Sequence, residues 1–283
     1  MMVSLVLAMV SGAAPLLAKA GMPPAGASPA RADKPMLWIW RGFRRAGLDL
    51  PTFRRHLATR FIPATVKTPG RFGLQACLVV MPLNGGEQGL PDEISLVAYR
   101  SSQLYRQMNA TPEGKAYQDS QWELFDRSAS LSLVPQAFTG RLPTAWARGL
   151  AYDLLGKPVD WSSGHTVFYL GRRHPHLPPD TFMARLHRHL AEVRRTLPAW
   201  GLDGYLTLLT GDYHYAFLHW PAPGAHDRAM ASPVGLALRQ DAAEFLEDLM
   251  WSGAQRYDGW IEPGECIIVP LPPPPSPRPP KAP

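Results

Sequence analysis

The chain is poor in cysteine: Cys77 and Cys266 are the only two among its 283 residues. Each lies in an apolar run typical of a strand, where a free cysteine usually acts as a small buried hydrophobic residue. Neither has a second Cys or a His at the spacing of a zinc site, so neither a disulfide framework nor a bound metal is expected. No stretch forms a specific catalytic motif, and we expect no cofactor.

Charged residues are also few, at 18% of the chain, and no dense basic block is present. The net charge of +6 comes mostly from arginines scattered over predicted helix faces. Because no recognised nucleic-acid-binding motif accompanies this charge, binding to nucleic acid is not expected. The hydrophobic share of 46% and the aromatic share of 10% are typical of a globular protein with cores rich in rings.

The apolar residues 1–20 have no Lys or Arg at their beginning, and glycine and proline interrupt them. They are too short and too broken for a stable membrane-spanning helix, which needs about 20 apolar residues. Two hypotheses remain for residues 1–35. They are a signal peptide cleaved near Ala20 on the way to the periplasm, or a non-native extension and linker before a natural start at Met36. The missing positive charge slightly favours the second hypothesis and a cytoplasmic protein.

Two stretches show the same order of predicted elements, namely strand, helix, strand, strand, helix and strand. They are residues 36–138 and residues 165–270. In the second stretch, the segment Asp241 to Tyr257 is interpreted as the second helix and Glu265 to Val269 as the last strand. The order β-α-β-β-α-β is the ferredoxin-like arrangement, and it predicts an α+β fold of two tandem units.

Three further segments have their own patterns. The first helix of the first unit, Pro51 to Val66, is expected to kink or stop near Ile62, because Pro63 lacks a backbone donor. Residues 139–164 are interpreted as a connector with a short helix, since apolar residues recur every four positions at Trp146, Leu150 and Leu154. Residues 271–283 form a Pro-rich tail, expected to be extended and either solvated or bound in an aromatic groove of a partner.

Two ferredoxin-like units in tandem resemble the dimeric α/β barrel superfamily, which includes antibiotic-biosynthesis monooxygenases and EthD-like proteins. The resemblance covers Met36 to Pro270. It implies two sheets that face one another around a cavity, here within one chain that would be a monomeric pseudo-dimer. In the first unit, Phe53-Arg-Arg-His56 with Pro63 downstream is similar to the EthD-like pattern of Phe-x-x-His followed by Pro. The second unit departs from this pattern.

Strand alternation divides the stretch from Tyr213 to Trp220 into two faces. Tyr215 and His219 lie on one face, and His214 lies on the other. Each face thus places an imidazole beside aromatic rings, which suits a planar ligand and proton transfer near neutral pH. Which face lines the barrel is left open. Arg41 is a further candidate, because an Arg within an apolar strand needs an acidic partner or a ligand anion.

The predicted site lies between the two sheets. Its catalytic groups are His219, His214 and Arg41, and its walls are Tyr215, Trp40 and Tyr99.

Two functions fit these patterns. The first is a small-molecule-binding barrel protein, or an enzyme of the monooxygenase, cyclase or isomerase type, that takes an apolar or aromatic metabolite without a tightly bound metal. The alternative is a non-catalytic binding or assembly module that uses the barrel and the Pro-rich tail. A cavity of about 300 Å³ or more with convergent polar groups would favour the first function. A barrel filled by rings would favour the second.

Overall fold

A computed structural model describes residues 34–87, 89–137 and 149–272. The expectations for the first 33 residues, for Trp146 and for the tail beyond residue 272 therefore lie outside the described residues. Within the described ranges, no helix has both the length and the apolar character that a membrane span requires.

Each unit contains four paired strands, and its strands and helices follow one another in the predicted order. The first unit consists of β1 Met36–Gly42, α1 Leu50–His56, a π-helical turn Leu57–Phe61, α2 Ile62–Lys67, a 3-10 turn Pro69–Phe72, β2 Leu74–Val80, β3 Glu93–Tyr99, α3 Ser102–Ala110, α4 Pro112–Leu124 and β4 Leu131–Leu133. Two short strands follow, β5 Gln136–Ala137 and β6 Ala151–Asp153. The second unit consists of β7 His165–Arg173, α5 Pro179–Thr196, a 3-10 turn Leu197–Trp200, β8 Gly204–Thr210, β9 Tyr213–Trp220, α6 Ala225–Ala231, α7 Pro233–Ala243, β10 Leu246–Arg256 and β11 Cys266–Ile268.

The strands form one 11-stranded sheet with the order β4-β1-β3-β2-β11-β10-β7-β9-β8-β6-β5. Each unit contributes the ferredoxin-like order, β4-β1-β3-β2 in the first and β10-β7-β9-β8 in the second. Strand β11 joins the units, because it pairs antiparallel with β2 and parallel with β10.

The two edges of this sheet are close in space. Strand β4 ends at Leu133 and β5 begins at Gln136, three Cα steps later, so the edges are at most about 11 Å apart. The sheet therefore curls back on itself, which confirms the prediction of two ferredoxin-like units forming one intrachain α/β barrel.

The inner face of the curled sheet is filled by side chains from both units, such as Ile39 and Leu96 of the first and Phe168 and Phe217 of the second. Two outer cores lie between the sheet and the helices, one in each unit. The barrel interior is thus a packed core, and the sheet–helix spaces are separate from it.

The first helix does not stop near Ile62, so that part of the prediction is wrong, but it is disturbed there, because a π turn gives way to α-helix at Ile62. The helical backbone continues to Lys67 through the π turn, and Pro63 lies in the first turn of α2. A proline is tolerated there because the first backbone N–H groups of a helix have no intrahelical partner. The local change of hydrogen bonding in the π turn therefore accommodates the proline.

The predicted helix from Asp241 to Tyr257 is also wrong, since most of it is strand β10. The strand pairs with β7, and a β-bulge lies between Asp248 and Met250. Leu246 before the bulge belongs to the outer core, whereas Met250 after it belongs to the inner core. The bulge adds one residue to the strand, so the side chains after it point to the opposite face from the one that alternation would predict. A bulged strand with apolar residues facing both cores thus produced an apolar spacing similar to that of a helix.

The connector contains no helix in its described part, residues 149–164. Strand β6 lies there and pairs antiparallel with β8. Leu154 is fully buried in the outer core of the second unit, and Leu150 packs against the same core. The apolar spacing reflects these contacts of an extended segment.

The second helical segments of the two units turn in the same way. In the first unit, Thr111 Oγ1 accepts from the backbone N–H of Gly114 at 2.9 Å and donates to the Met108 carbonyl at 2.7 Å. In the second, the Ser232 hydroxyl makes the equivalent bonds with Gly235 and Ala229, at 3.1 and 2.6 Å. Both turns have the sequence Ser/Thr-Pro-x-Gly, in which the hydroxyl caps the next helix.

Candidate functional site

The structure divides the six predicted site residues between the two faces of the sheet. The inner face carries Arg41, Tyr215 and His219, and the outer face carries Trp40, Tyr99 and His214. The structure therefore does not bring the six residues together on one face of the sheet. The physical reason is strand alternation: neighbouring residues such as Trp40 and Arg41 point to opposite faces.

His219 is held at one end of the barrel as a cross-link. Its Nδ1 lies 2.6 Å from Asp203 Oδ1, and its Nε2 lies 2.8 Å from the Ser163 carbonyl oxygen. The ring is 2% exposed and packs edge-on to Trp161. Both nitrogens are engaged, so the ring joins β9 to the loop before β7 and offers no nitrogen to a ligand.

His214 lies in the outer core of the second unit. Its Nε2 is 2.8 Å from Thr207 Oγ1, and its buried Nδ1 has no hydrogen-bond partner. Burial lowers the pKa of His214 to about 3, so the ring is neutral near pH 7. The cavity beside it measures only about 50 Å³. This space suits a water molecule and is too small for a metabolite.

A larger cavity, of about 330 Å³, lies in the first unit between the outer face of its sheet and its helices. Its walls are aromatic on several sides, formed by Trp38, Trp40, Phe61, Tyr99, Tyr105, Tyr117 and Trp122. Two of the residues predicted to contact a ligand, Trp40 and Tyr99, are thus in its lining. The location differs from the prediction, because these two residues face the helices and not the barrel interior.

The rings pack on one another and so define flat walls. Trp38 stacks on Tyr99 with centroids 5.3 Å apart, and Phe61 stacks on Tyr117 at 5.4 Å. The Tyr117 hydroxyl is 2.8 Å from Thr65 Oγ1, which fixes that ring. Rings held in this way give large contact areas to a planar ligand at a low cost in conformational entropy.

Among the residues that the structure describes, Glu93 is the only carboxylic acid that lines this cavity. Its side chain is buried, and Ser95 Oγ donates a hydrogen bond to its Oε1. The other oxygen, Oε2, is buried and has no hydrogen-bond partner. Burial raises the pKa of Glu93 to about 7, although the neighbouring side chains of Ser95 and Trp40 act to lower it. Both the acid and the carboxylate are therefore populated near neutral pH.

Sequence reasoning missed Glu93, although the strand that carries it was predicted. Alternation along β3 places Glu93, Ser95 and Tyr99 on one face. A carboxylate on the same face as aromatic residues, at the start of an otherwise apolar strand, was the available signal.

Other polar groups bear on what the site can hold. Burial raises the pKa of the Cys77 thiol in the cavity wall, so this residue remains a neutral thiol. His56 of the EthD-like pattern is partly exposed and is not among the lining residues. In the part of the chain that the structure describes, no group of three or more His, Cys, Asp or Glu side chains is placed to hold a metal ion.

Comparisons with known proteins give likenesses of fold only. No family model matches the chain, and no curated protein matches it. Among solved structures, 32 chains match. One is a protein from Lactobacillus acidophilus NCFM, provisionally named a monooxygenase, with 8% identity, a TM-score of 0.36, and coverage of 78% of this chain and 92% of that chain.

Two further likenesses have similar values. A provisionally named monooxygenase from Fusobacterium nucleatum subsp. nucleatum ATCC 25586 shows 9% identity and a TM-score of 0.39, covering 81% of this chain and 97% of that one. An anthrone oxidase-like protein shows 12% identity and a TM-score of 0.34, covering 77% and 88%. Such values carry no conclusion about function.

Proposed function

We propose that this chain is a small-molecule-binding protein of enzyme type, whose ligand occupies the first unit's cavity and exchanges a proton with Glu93. One observation carries the proposal: of the described residues that line an aromatic-walled space of about 330 Å³, Glu93 alone has a carboxyl group, and its buried Oε2 has no hydrogen-bond partner. A buried acceptor without a partner is costly, so a ligand that donates a hydrogen bond to Oε2 would be stabilised there.

The walls favour a planar, apolar or aromatic ligand. Stacked rings such as Trp38 on Tyr99 contribute flat surfaces, and the volume lies within the usual range of about 300 to 1,000 Å³ for ligand pockets. The ligand must also carry a donor, a hydroxyl or an acidic C–H, that can reach Glu93.

Glu93 suits general acid–base chemistry because a pKa of about 7 lies near the working pH of most proteins. As a carboxylate it removes a proton from the ligand's O–H or activated C–H, and the ligand keeps the electron pair. As the acid it returns that proton. The same first step serves an isomerase, a cyclase and a monooxygenase, so the proposal is made at the level of this proton transfer.

The barrel interior is not part of this site, because side chains of both units fill it. Trp40 and Tyr99 retain their predicted role as ligand-contacting walls, now in the outer cavity. His219, His214 and Arg41 lie outside that cavity's lining and have no role in the proposal.

Binding of 2-naphthol and naphthalene, followed by tryptophan fluorescence, tests the proposal, because the two probes share a planar ring system and differ by one hydroxyl. At pH 8 the wild type should bind 2-naphthol about 10-fold more tightly, since a hydrogen bond to a charged acceptor contributes roughly 1.5 kcal/mol or more. Glu93→Gln should lose this preference. Glu244→Gln, which alters a surface pair with Arg185 in the second unit, is the matched control and should keep it.

Val97 lines the same cavity, so Val97→Trp should weaken binding of both probes. A preference for 2-naphthol that survives Glu93→Gln would remove Glu93 from the site. If the folded wild type binds neither probe, the alternative of an assembly module becomes the better hypothesis.

A further inference from the structure

An open groove of about 620 Å³ lies at one end of the barrel. Three strands that run in the same direction end there: Arg100 directly follows β3, Arg256 is the last residue of β10, and Ile268 is the last residue of β11. Asp160 and Ser162, from the loop before β7, form a further wall. Ligand pockets usually measure about 300 to 1,000 Å³. The groove is thus large enough for a metabolite, and both units contribute to it.

The two arginines of this groove have no carboxylate partner. Arg100 and Arg256 are exposed, and neither forms an ion pair within the part of the chain that the structure describes. Several other arginines are paired, as Arg173 is with Asp212. A cleft that is lined by charges of one sign concentrates their field and attracts ligands of the opposite sign. The groove is therefore suited to an anion.

Asp160 does not neutralise these arginines. It is the only acidic residue among the described residues that line the groove. Its Oδ1 accepts hydrogen bonds from the Ser162 hydroxyl at 2.5 Å and from the Ser162 backbone N–H at 3.1 Å. The bond from the hydroxyl is the main cause of the lowered pKa of Asp160, and neither arginine contributes to that shift. The carboxylate thus stabilises its own loop and leaves both guanidinium groups uncompensated.

A phosphoryl group matches two guanidinium groups in geometry and in charge. The planar guanidinium binds phosphate oxygens through two parallel N–H donors. A phosphomonoester carries a charge of nearly −2 above its second pKa of about 6, whereas a carboxylate or a sulfate ester carries only −1. Next to the arginines, Leu74, Ile268 and Leu271 offer apolar surface to the organic part of such a ligand.

We propose that this groove binds a phosphomonoester metabolite, with its phosphoryl group between Arg100 and Arg256 and its organic part against Leu74 and Ile268. The site goes beyond the proposed function. Leu74 also lines the Glu93 cavity, so the two spaces adjoin, but Glu93 is not among the residues that line the groove. Because Arg100 belongs to the first unit and Arg256 to the second, the bound phosphoryl group links the two units.

Ligand-observed NMR with methyl phosphate and methyl sulfate tests the site. The two probes have similar shapes and differ in charge at pH 8, and neither has the aromatic ring that the Glu93 cavity favours. At constant ionic strength, the wild type should bind methyl phosphate more tightly than methyl sulfate. Arg100→Gln and Arg256→Gln should each weaken methyl phosphate binding by about 5-fold, the upper end for an exposed ion pair.

Two further variants show whether the groove itself binds the probe. Arg188→Gln is the matched control, because Arg188 is exposed on α5 and has no ion pair among the described residues. It should change the affinity by less than about 2-fold. Asp160→Asn should act in the opposite direction and tighten binding, since it removes a negative charge but keeps an oxygen for Ser162.

Three results would overturn the site. They are no binding of methyl phosphate by the folded wild type, equal binding of the two probes, and a loss in Arg188→Gln as large as in the groove variants. The last two would mean that the net positive charge attracts anions without a specific site. Glu93→Gln should leave methyl phosphate binding unchanged, so failure of this site would not bear on the Glu93 cavity.

Discussion

Glu93 and His214 occupy equivalent positions in the two units. Glu93 on β3 is paired with Gly42 of β1, and His214 on β9 is paired with Gly171 of β7. Both side chains face the helices of their own unit. In both units an aromatic residue lies two positions before the glycine and covers it, so that an added Cβ would lie within 3 Å of that side chain.

Burial shifts the pKa values of Glu93 and His214 in opposite directions. It raises that of Glu93 to about 7 and lowers that of His214 to about 3, because the low-dielectric surroundings disfavour charge in each case. Of these two groups, only Glu93 therefore titrates near neutral pH. Only Glu93 also adjoins a space of metabolite size, about 330 Å³ against about 50 Å³ beside His214.

The helices that cover these two positions also differ. In the second unit, α5 is continuous over 18 residues and fills the outer core with Leu186, Leu190 and Val193. The corresponding helix of the first unit is interrupted by the π turn at Leu57–Phe61. Equivalent positions thus acquire different chemistry from what the covering helices leave free.

The largest expected contrast is in the pH dependence of stability. Glu93 is neutral in both folded and unfolded states below its unfolded pKa of about 4.5, and its stabilisation is lost as the pH rises to 7. His214 is neutral in both states above about 6.5, and stability is lost as the pH falls towards 3.

Across its whole pH window, the displaced pKa should therefore change the free energy of unfolding by about 3 kcal/mol for Glu93 and by about 5 kcal/mol for His214, with opposite sign. Urea unfolding measures this. In the wild type, Glu93 lowers the free energy of unfolding as the pH rises from 5 to 7.5, and Glu93→Gln should remove this decrease. His214 raises the free energy of unfolding as the pH rises from 4 to 7, and His214→Gln should remove this increase. If neither substitution changes how the free energy of unfolding depends on pH, burial does not displace the pKa values of these two groups.

The shared turns should respond equally to a small substitution. A Cβ on Gly114 would lie 2.0 Å from the Met108 carbonyl oxygen, and one on Gly235 would lie 2.1 Å from that of Ala229. We expect Gly114→Ala and Gly235→Ala each to cost about 3 kcal/mol, since backbone must move in both. Chemical denaturation would show whether the two losses agree within about 1 kcal/mol, the spread expected for similar contexts. A loss confined to one unit would break the equivalence of the turns.

A larger side chain at equivalent positions should destabilise the second unit more than the first, by a smaller free energy than in the tests above. Val97 and Leu218 are equivalent, because they pair with Trp38 and Val167 on the first strands of their units. Leu218→Trp should cost about 1 to 3 kcal/mol, because its outer core is filled. Val97→Trp enters the cavity and should change stability by less than about 1 kcal/mol. Equal losses from the two indoles would mean that the cavity is not open space.

Much of the fold could be predicted from periodicity. Strands β7, β8 and β9 and the apolar stripe of α5 follow directly from alternation and helical spacing, as does the division of β9 into two faces. Strand β10 could not be predicted, because the bulge at Asp248 to Met250 gives a strand a helix-like spacing.

The candidate site was less accessible to sequence reasoning. Trp40 and Tyr99 were predicted as ligand contacts, but the relevant face of the sheet depends on which side leaves space. Leu57 and Phe61 of the π turn before Pro63 line that space, and no sequence period marks such a turn. The raised pKa of Glu93 likewise arises from burial, which depends on the tertiary packing and not on the local sequence.

The most direct test of the account is the titration of Glu93 itself. In protein with ¹³C at the glutamate δ carbon, the signal absent from Glu93→Gln identifies this carboxyl, and its chemical shift can be followed from pH 4 to pH 9. The account predicts a midpoint near pH 7, which 2-naphthol displaces when it binds. A midpoint near the ordinary value of about 4.3, unmoved by the ligand, would contradict it.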